Sequence, residues 1–261
     1  MHKSIKAEEL ISMVIEKENE FIPDENTVIF RYMDFIKFMS LLQNKKIFFT
    51  RADKFEDPLE GEVPSYYINR LTTFYHNDII NKLSKFIDLD DKTQDILNKY
   101  QIYKTQTFIS CWTEFINDKE SYALWKIYAK EFGVAIQTTV KKLRDITKEE
   151  NVSIYRVRYI KDDKESVILP KHIDKHFMES DNFFVCKKAA YSYENEIRAI
   201  CTGNGEFQEI CVSNLNKFID KIYVSPFAEK WFLNLVKDIL VQYRLDDIDL
   251  VTSQIVINKS K

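Results

Sequence analysis

Apolar and polar residues alternate along this chain with two different periods, and the period switches often. Leu10, Ile11, Val14 and Ile15 recur at helical spacing and predict a helix over 6–20, with a loop from Pro23. "TVIFRYM" (27–33) reads as a short strand. "DFIKFMSLLQNKK" (34–46) reads as a helix, with Asp34 at the N-cap and lysine near the end where the helix dipole favours it. "KIFFTRA" (46–52) is the next strand, and "KFEDPLEGEVP" (54–64) has the Pro and Gly punctuation of a loop. Residues 66–100 are polar and periodic and predict two or three helices. A strand over 103–114, a helix over 119–132 with Gly133 at its C′ position, a strand over 133–139 and a short helix through 147 follow. Strands are expected at 152–160, 192–200, 206–213 and 221–226, a strong helix at 227–243 and a last strand near 253–257.

Strands joined partly by hairpins and partly by helices argue for an α+β fold and against a doubly wound parallel sheet. The length of 261 residues suits one domain, 1–261, with a helical insertion around 65–100. Apolar residues make up 45% and aromatics 14%, which excludes a disordered chain. With only 4 glycines the chain has no Gly-rich phosphate loop. The net charge of −3 gives no sign of a general nucleic-acid binder. The four cysteines lack CxxC spacing and read as reduced thiols. With no apolar leader or span in the sequence, the expectation is a soluble, cytoplasmic protein without a membrane partner.

Three stretches carry candidate chemistry. In "KKAAYSYENEIRAI", strand alternation places Glu194, Glu196 and Arg198 on one face, with Ile197 and Ala199 on the core side. The pattern alone favours a solvated face, where an Arg–Glu pair contributes about 0.2–1 kcal/mol. Tyr191 and Tyr193 nearby favour a site, since a water-poor surround strengthens a carboxylate's field. Arg31 lies in an otherwise apolar strand and must reach solvent, bind an anion or pair with Glu56, Asp57 or Glu60. Thr50 and Arg51 end the following strand, where loops build sites. In "FISCWTEFINDKESYALWKIYA", Trp112, Trp125 and Tyr128 read as core, and Ser110–Cys111 lacks a well-placed histidine. His172 and His176 have i, i+4 spacing without an HExxH glutamate and read as exposed polar residues. No metal site is expected.

The segments "FRYMDF", "IFFTRADKFEDPLEG", "FISCWTE", "ALWKIYAKEFGVAIQ", "IYRVRYI" and "YSYENEIRAI" follow in an order that resembles a family of mostly uncharacterised bacterial proteins. That family is known by an unknown-function label and is often carried in mobile or defence regions. Ala123–Leu124 stands where the family often has Leu-Met, and Tyr191 where Trp is frequent. The opening strand–helix–strand also resembles ADP-ribosyltransferase toxins, whose core is a split, mixed β-sheet.

That second resemblance implies an NAD-dependent ADP-ribosyltransferase acting as a toxin or antiphage effector, with NAD as substrate and no metal. It implies Glu196 and Arg31 as catalytic residues, with Arg31, Tyr32, Thr50, Arg51, Tyr193 and Glu194 around NAD. The partners it implies are a macromolecular acceptor (protein, RNA or DNA) and an antitoxin. Two other functions compete with it. One is a non-catalytic module that binds a nucleotide or phage product. The other is a metal-dependent nuclease or hydrolase built on Asp53, Glu56, Asp57 and Glu60.

Overall fold

In a computed structural model, the structure describes residues 21–56, 98, 101–116, 120–160 and 184–256. The expected helices at 6–20 and across most of 66–100, most of the charged connection at 161–185, all four histidines, Asp57 and Glu60 lie outside the described residues.

The chain is mixed α+β with a mostly antiparallel sheet of nine strands. Strand β1 (Val28–Asp34) leads into helix α1 (Phe35–Asn44), whose N-cap Asp34 accepts a hydrogen bond from the backbone N–H of Lys37. Lys45 closes α1 in the left-handed conformation, and β2 (Lys46–Arg51) follows. After β3 (Thr107–Glu114) come helix α2 (Tyr122–Leu124), a single π-helical turn over Trp125–Ala129, and β4 (Gly133–Thr139). Helix α3 (Val140–Thr147), β5 (Ser153–Arg156) and β6 (Arg158–Ile160) precede the unassigned connection. Beyond it lie β7 (Cys186–Lys188), a 3₁₀ turn over Ala189–Glu194, β8 (Glu196–Thr202) and β9 (Phe207–Cys211). Helix α4 (Leu215–Phe218), β10 (Lys221–Val224), α5 (Lys230–Gln242) and β11 (Asp249–Thr252) complete the described chain.

The registers make β3 a branch point. Its whole length pairs with β8, from Thr107↔Thr202 to Thr113↔Glu196. On its other edge the start of β3 pairs with β2 (Thr50↔Ile109, Arg51↔Phe108) and its end with β1 (Ile29↔Glu114, Phe30↔Thr113). The sheet therefore splits between β1 and β2. One face packs Ile29, Phe108, Trp112 and Ile197 against residues of α1, α3 and α5, including Phe38, Leu143 and Phe232. On the opposite face Phe30, Tyr32, Ala135 and Tyr223 pack on Leu124 and Trp125.

Several elements differ from the sequence reading. Residues 101–106 are helical, and β3 begins only at Thr107, whose hydroxyl donates back to the Tyr103 carbonyl. The expected helix over 119–132 is confined to 122–129, and Gly133 opens β4 instead of capping a helix. A Cβ on Gly133 would lie 2.1 Å from the Ala129 carbonyl oxygen and 2.6 Å from that of Met33, so the tight turn requires glycine there. The strand expected over 152–160 breaks at Val157, whose N–H leaves the ladder to donate to the Glu196 carbonyl. The last strand falls at 249–252, set by parallel pairing with β10.

Candidate functional site

The strand expected over 192–200 begins only at Glu196. Residues up to Glu194 form the 3₁₀ turn, and Asn195 adopts a left-handed conformation (φ 42°) between the two glutamates. Glu194 is thus on a turn and not on the face it was expected to share with Glu196 and Arg198. That face is not solvated either. Glu194 and Glu196 are each 6% exposed, and Arg198 is fully buried.

Arg198 grips Glu196 with a two-pronged contact, Nε to Oε1 at 3.0 Å and Nη2 to Oε2 at 2.9 Å, and its Nη1 donates to the Phe184 carbonyl. Lys187 of β7 lies 2.6 Å from Glu194 Oε2 and 3.5 Å from Glu196 Oε2. Tyr128, on the π-helical turn, donates its hydroxyl to Glu194 Oε1 at 3.1 Å. Tyr159 accepts the backbone N–H of Glu196 at 2.8 Å, and the Cys111 thiol is in hydrogen-bond contact with the Glu196 carboxylate. Two cations and two carboxylates leave this buried cluster formally neutral, the condition under which ionised groups persist away from water.

Burial and the cluster's own charges act on its titratable groups in opposite directions. Burial pulls the Lys187 ammonium down, but Glu196 and Glu194 outweigh it and hold its pKa above the ordinary lysine range. Burial raises the Cys111 thiol well above its usual value, and the nearby Glu196 charge adds to this. The Tyr128 phenol is raised by burial and then by Glu194. Burial also acts most strongly on Glu196, which it raises, and on Arg198, which it lowers. The fork between them opposes both shifts, because each charge stabilises the other. The geometry of the fork favours the ionised form of both groups, against burial that pushes the Glu196 carboxyl up to about 7.

A cavity of about 300 Å³ opens on the same face of the sheet, and none of the cluster's charged side chains is among its walls. Tyr32, Thr113, Phe115, Tyr193 and Asn195 are among its walls. Thr113 connects the two, since it lines the cavity and is the register partner of Glu196. Tyr32 is held edge-on against Trp125 with ring centroids 5.0 Å apart, and its hydroxyl accepts the Ser121 N–H.

The other expected site residues lie elsewhere. Arg31 leaves β1 on the Ile29 and Met33 face, opposite to Glu196. Its guanidinium lies over the Trp112 ring at 5.6 Å and donates to the Phe48 carbonyl, so it bridges the split between β1 and β2. Thr50 pairs with Ile109 and Phe207, at the end of β3 away from Thr113. Arg51 forks onto Asp53 and donates to the Gly205 carbonyl. Ser110 is buried and accepts the Trp112 indole N–H, and the up-shifted Cys111 is a poor nucleophile at neutral pH. Trp112 and Trp125 are core, as expected, but Tyr128 is half exposed. Among the described residues, no group of three or more His, Cys, Asp or Glu could hold a metal ion.

Sequence reasoning did not assign Lys187, Tyr128, Tyr159 or Cys111 to the site. For Cys111, Tyr128 and Tyr159 the signal available was that "ISCW", "WKIYA", "RVRY" and "YENEIR" are separate segments of one resemblance, which the fold brings to one cluster; Lys187 lies in none of them.

The fold defines a mixed α+β protein whose polar centre lies on β3, β7, β8 and the π-helical turn. The model of a family described as a protein of unknown function (DUF2971) matches residues 124–199. That stretch holds Tyr128, Tyr159, Lys187, Glu194, Glu196 and Arg198, the whole cluster apart from Cys111. No curated protein and no solved structure matches the chain. Among the described residues, no helix is long and apolar enough to cross a membrane.

Proposed function

We propose that the chain is an ADP-ribosyltransferase that consumes NAD in the cavity beside β8, with Glu196 as the carboxylate acting on the ribose. One observation carries this reading: Glu196 is the register partner of Thr113, which lines a cavity together with Tyr32, Tyr193 and Asn195, although Glu196 itself is not among the cavity's walls. A volume of about 300 Å³ lies at the small end of ligand pockets and suits a nicotinamide ring flanked by aromatic side chains. The split of the sheet between β1 and β2 agrees with the split core of the transferase superfamily. Arg31 is given no role in this reading: its guanidinium is engaged with the Phe48 carbonyl and the Trp112 ring, and its link to the cluster is the field it exerts on Cys111.

In the reaction the bond between the ribose C1′ and the nicotinamide nitrogen breaks, and nicotinamide leaves with the bonding pair as a neutral molecule. Positive charge builds on the ribose, and a fixed carboxylate stabilises it. A nucleophilic atom of a macromolecular acceptor then bonds to C1′ and gives up its proton to Glu196 or to solvent. A toxin or antiphage effector acting in the cytoplasm, restrained by an antitoxin, is the biological role that accompanies this chemistry.

The full engagement of Glu196 by Arg198, with Lys187 3.5 Å away, favours a second reading in which the same cavity binds a nucleotide or phage product without turnover. Incubating the purified chain with NAD and a cell lysate separates the two. The first reading expects nicotinamide release and labelled acceptor, both lowered by Tyr193→Ala, a change at an exposed ring that leaves the core intact. A rise in melting temperature with NAD recovered intact would support the second. Folded protein that neither releases nicotinamide nor is stabilised by NAD would sink the first reading and remove NAD as the ligand of the second.

A further inference from the structure

The polar groups on the cavity wall differ in what they still offer. Glu114 is forked by Arg156, at 2.8 and 2.9 Å. Glu120 accepts the Trp125 indole N–H and the Gln254 backbone N–H, both at 2.8 Å. The Ser121 hydroxyl accepts from Leu124, and the Tyr32 hydroxyl accepts from Ser121. Among the described residues, the Asn195 side-chain amide has no such partner, and neither do the Thr113 and Tyr193 hydroxyls on the same wall. The Asn195 backbone is nonetheless fully used: the N–H donates to Ser192 and the carbonyl accepts from Glu114. Asn195 is therefore held rigidly between Glu194 and Glu196, with its amide uncommitted at the cavity wall.

We propose that Asn195 is the specificity residue of the cavity, and that its amide pairs with the carboxamide of a flat heteroaromatic ring enclosed by Tyr32 and Tyr193. The inference rests on the reading of NAD as ligand, and it names the part of NAD that is read. An amide offers one acceptor and two donors, so it can give and receive a hydrogen bond with another primary amide. A carboxylate in place of the carboxamide offers only acceptors and loses half of that pairing. Tyr32 and Tyr193 supply apolar ring contact without distinguishing the two. The cavity should therefore accept nicotinamide and reject nicotinic acid.

The simpler account of Asn195 is conformational, since asparagine tolerates the left-handed region better than most residues. Glycine tolerates it better still and carries no amide, and aspartate is an isosteric carboxylate. Thermal shift and calorimetric titration with NAD and with its nicotinic-acid analogue, on wild type, Asn195→Gly and Asn195→Asp, separate the accounts. Wild type should prefer NAD by about tenfold, the scale of one or two neutral hydrogen bonds. Both variants should fold and lose that preference, with Asn195→Asp weakening NAD the more. Equal binding of the two dinucleotides by wild type, or unchanged discrimination in both variants, overturns the assignment of Asn195 and leaves NAD binding standing. No response of wild type to either dinucleotide overturns the NAD reading, and this inference with it.

Discussion

Replacing Arg198 by methionine removes one of the four charges in the buried cluster while nearly preserving side-chain length. Glu196 loses both prongs of its fork and keeps the Cys111 thiol and, at 3.5 Å, Lys187, which already holds Glu194 at 2.6 Å. The remaining set carries a net negative charge out of contact with water, and the Phe184 carbonyl loses a donor. Stranding one member of a buried pair costs about 3–5 kcal/mol, which corresponds to a drop in Tm on the order of 10 °C in a chain of this size. Adding Glu196→Gln restores neutrality, because Lys187 and Glu194 still balance. The double variant should therefore be more stable than the sum of the single effects implies, by at least about 1.5 kcal/mol. Urea unfolding followed by circular dichroism and tryptophan fluorescence measures all four corners of the cycle. An Arg198→Met cost below about 1 kcal/mol, or strictly additive singles, would refute a charge-balanced cluster.

Three further outcomes follow from other parts of the structure. Gly133→Ala drives a Cβ into the Ala129 and Met33 carbonyls and should cost about 3 kcal/mol or more by urea unfolding; a neutral substitution would contradict the close approach. In native protein at pH 8, iodoacetamide should label exposed Cys211 first, while Cys111, Cys201 and Cys186, whose thiol burial pushes up to about 11, react only after unfolding; mass spectrometry checks the order. The fork from Arg51 holds the Asp53 carboxyl below the ordinary carboxylate range, so the folded chain binds that proton less readily than the unfolded chain. Its stabilisation is present above about pH 4 and fades as pH falls through the folded value. Urea midpoints should accordingly show wild type above Asp53→Asn by less than about 1 kcal/mol at pH 7, with the gap shrinking in acid; a widening gap would reverse the assignment.

Local signals were the legible ones. The alternation in "VIFRYM", the Asp34 cap and the amphipathic runs at 140–147 and 230–242 depend on neighbours in sequence, and the structure agrees with each to within a few residues. Glu194, Glu196 and Arg198 at period two mimic a solvated strand face, but Asn195 turns left-handed after the first of them, a kink that leaves the apolar period unchanged. The burial of Glu196 and Arg198 comes from segments remote in sequence, including Phe184, Lys187 and the Phe55 ring 5.8 Å from the Arg198 guanidinium. No local pattern encodes that cover. The same holds for Arg31, where alternation alone leaves open which face is core. The pairing of β1 with both β3 and β4 decides it and places Arg31 beside Trp112. Tyr32 and Tyr193 both line one cavity, because each flanks a segment docked at the end of β3. As a large aromatic Tyr128 reads as core by default, but it sits half exposed on the π-helical turn with its hydroxyl on Glu194, a contact across 66 residues that no local pattern encodes.

The most direct test is a crystal structure of the chain determined with saturating nicotinamide or NAD. The account predicts a flat ring lodged between Tyr32 and Tyr193, its carboxamide on Asn195 and, in the dinucleotide, the ribose next to Glu196. A cavity that stays empty at saturating ligand, or a ring bound on the Arg31 face of the sheet, would contradict it.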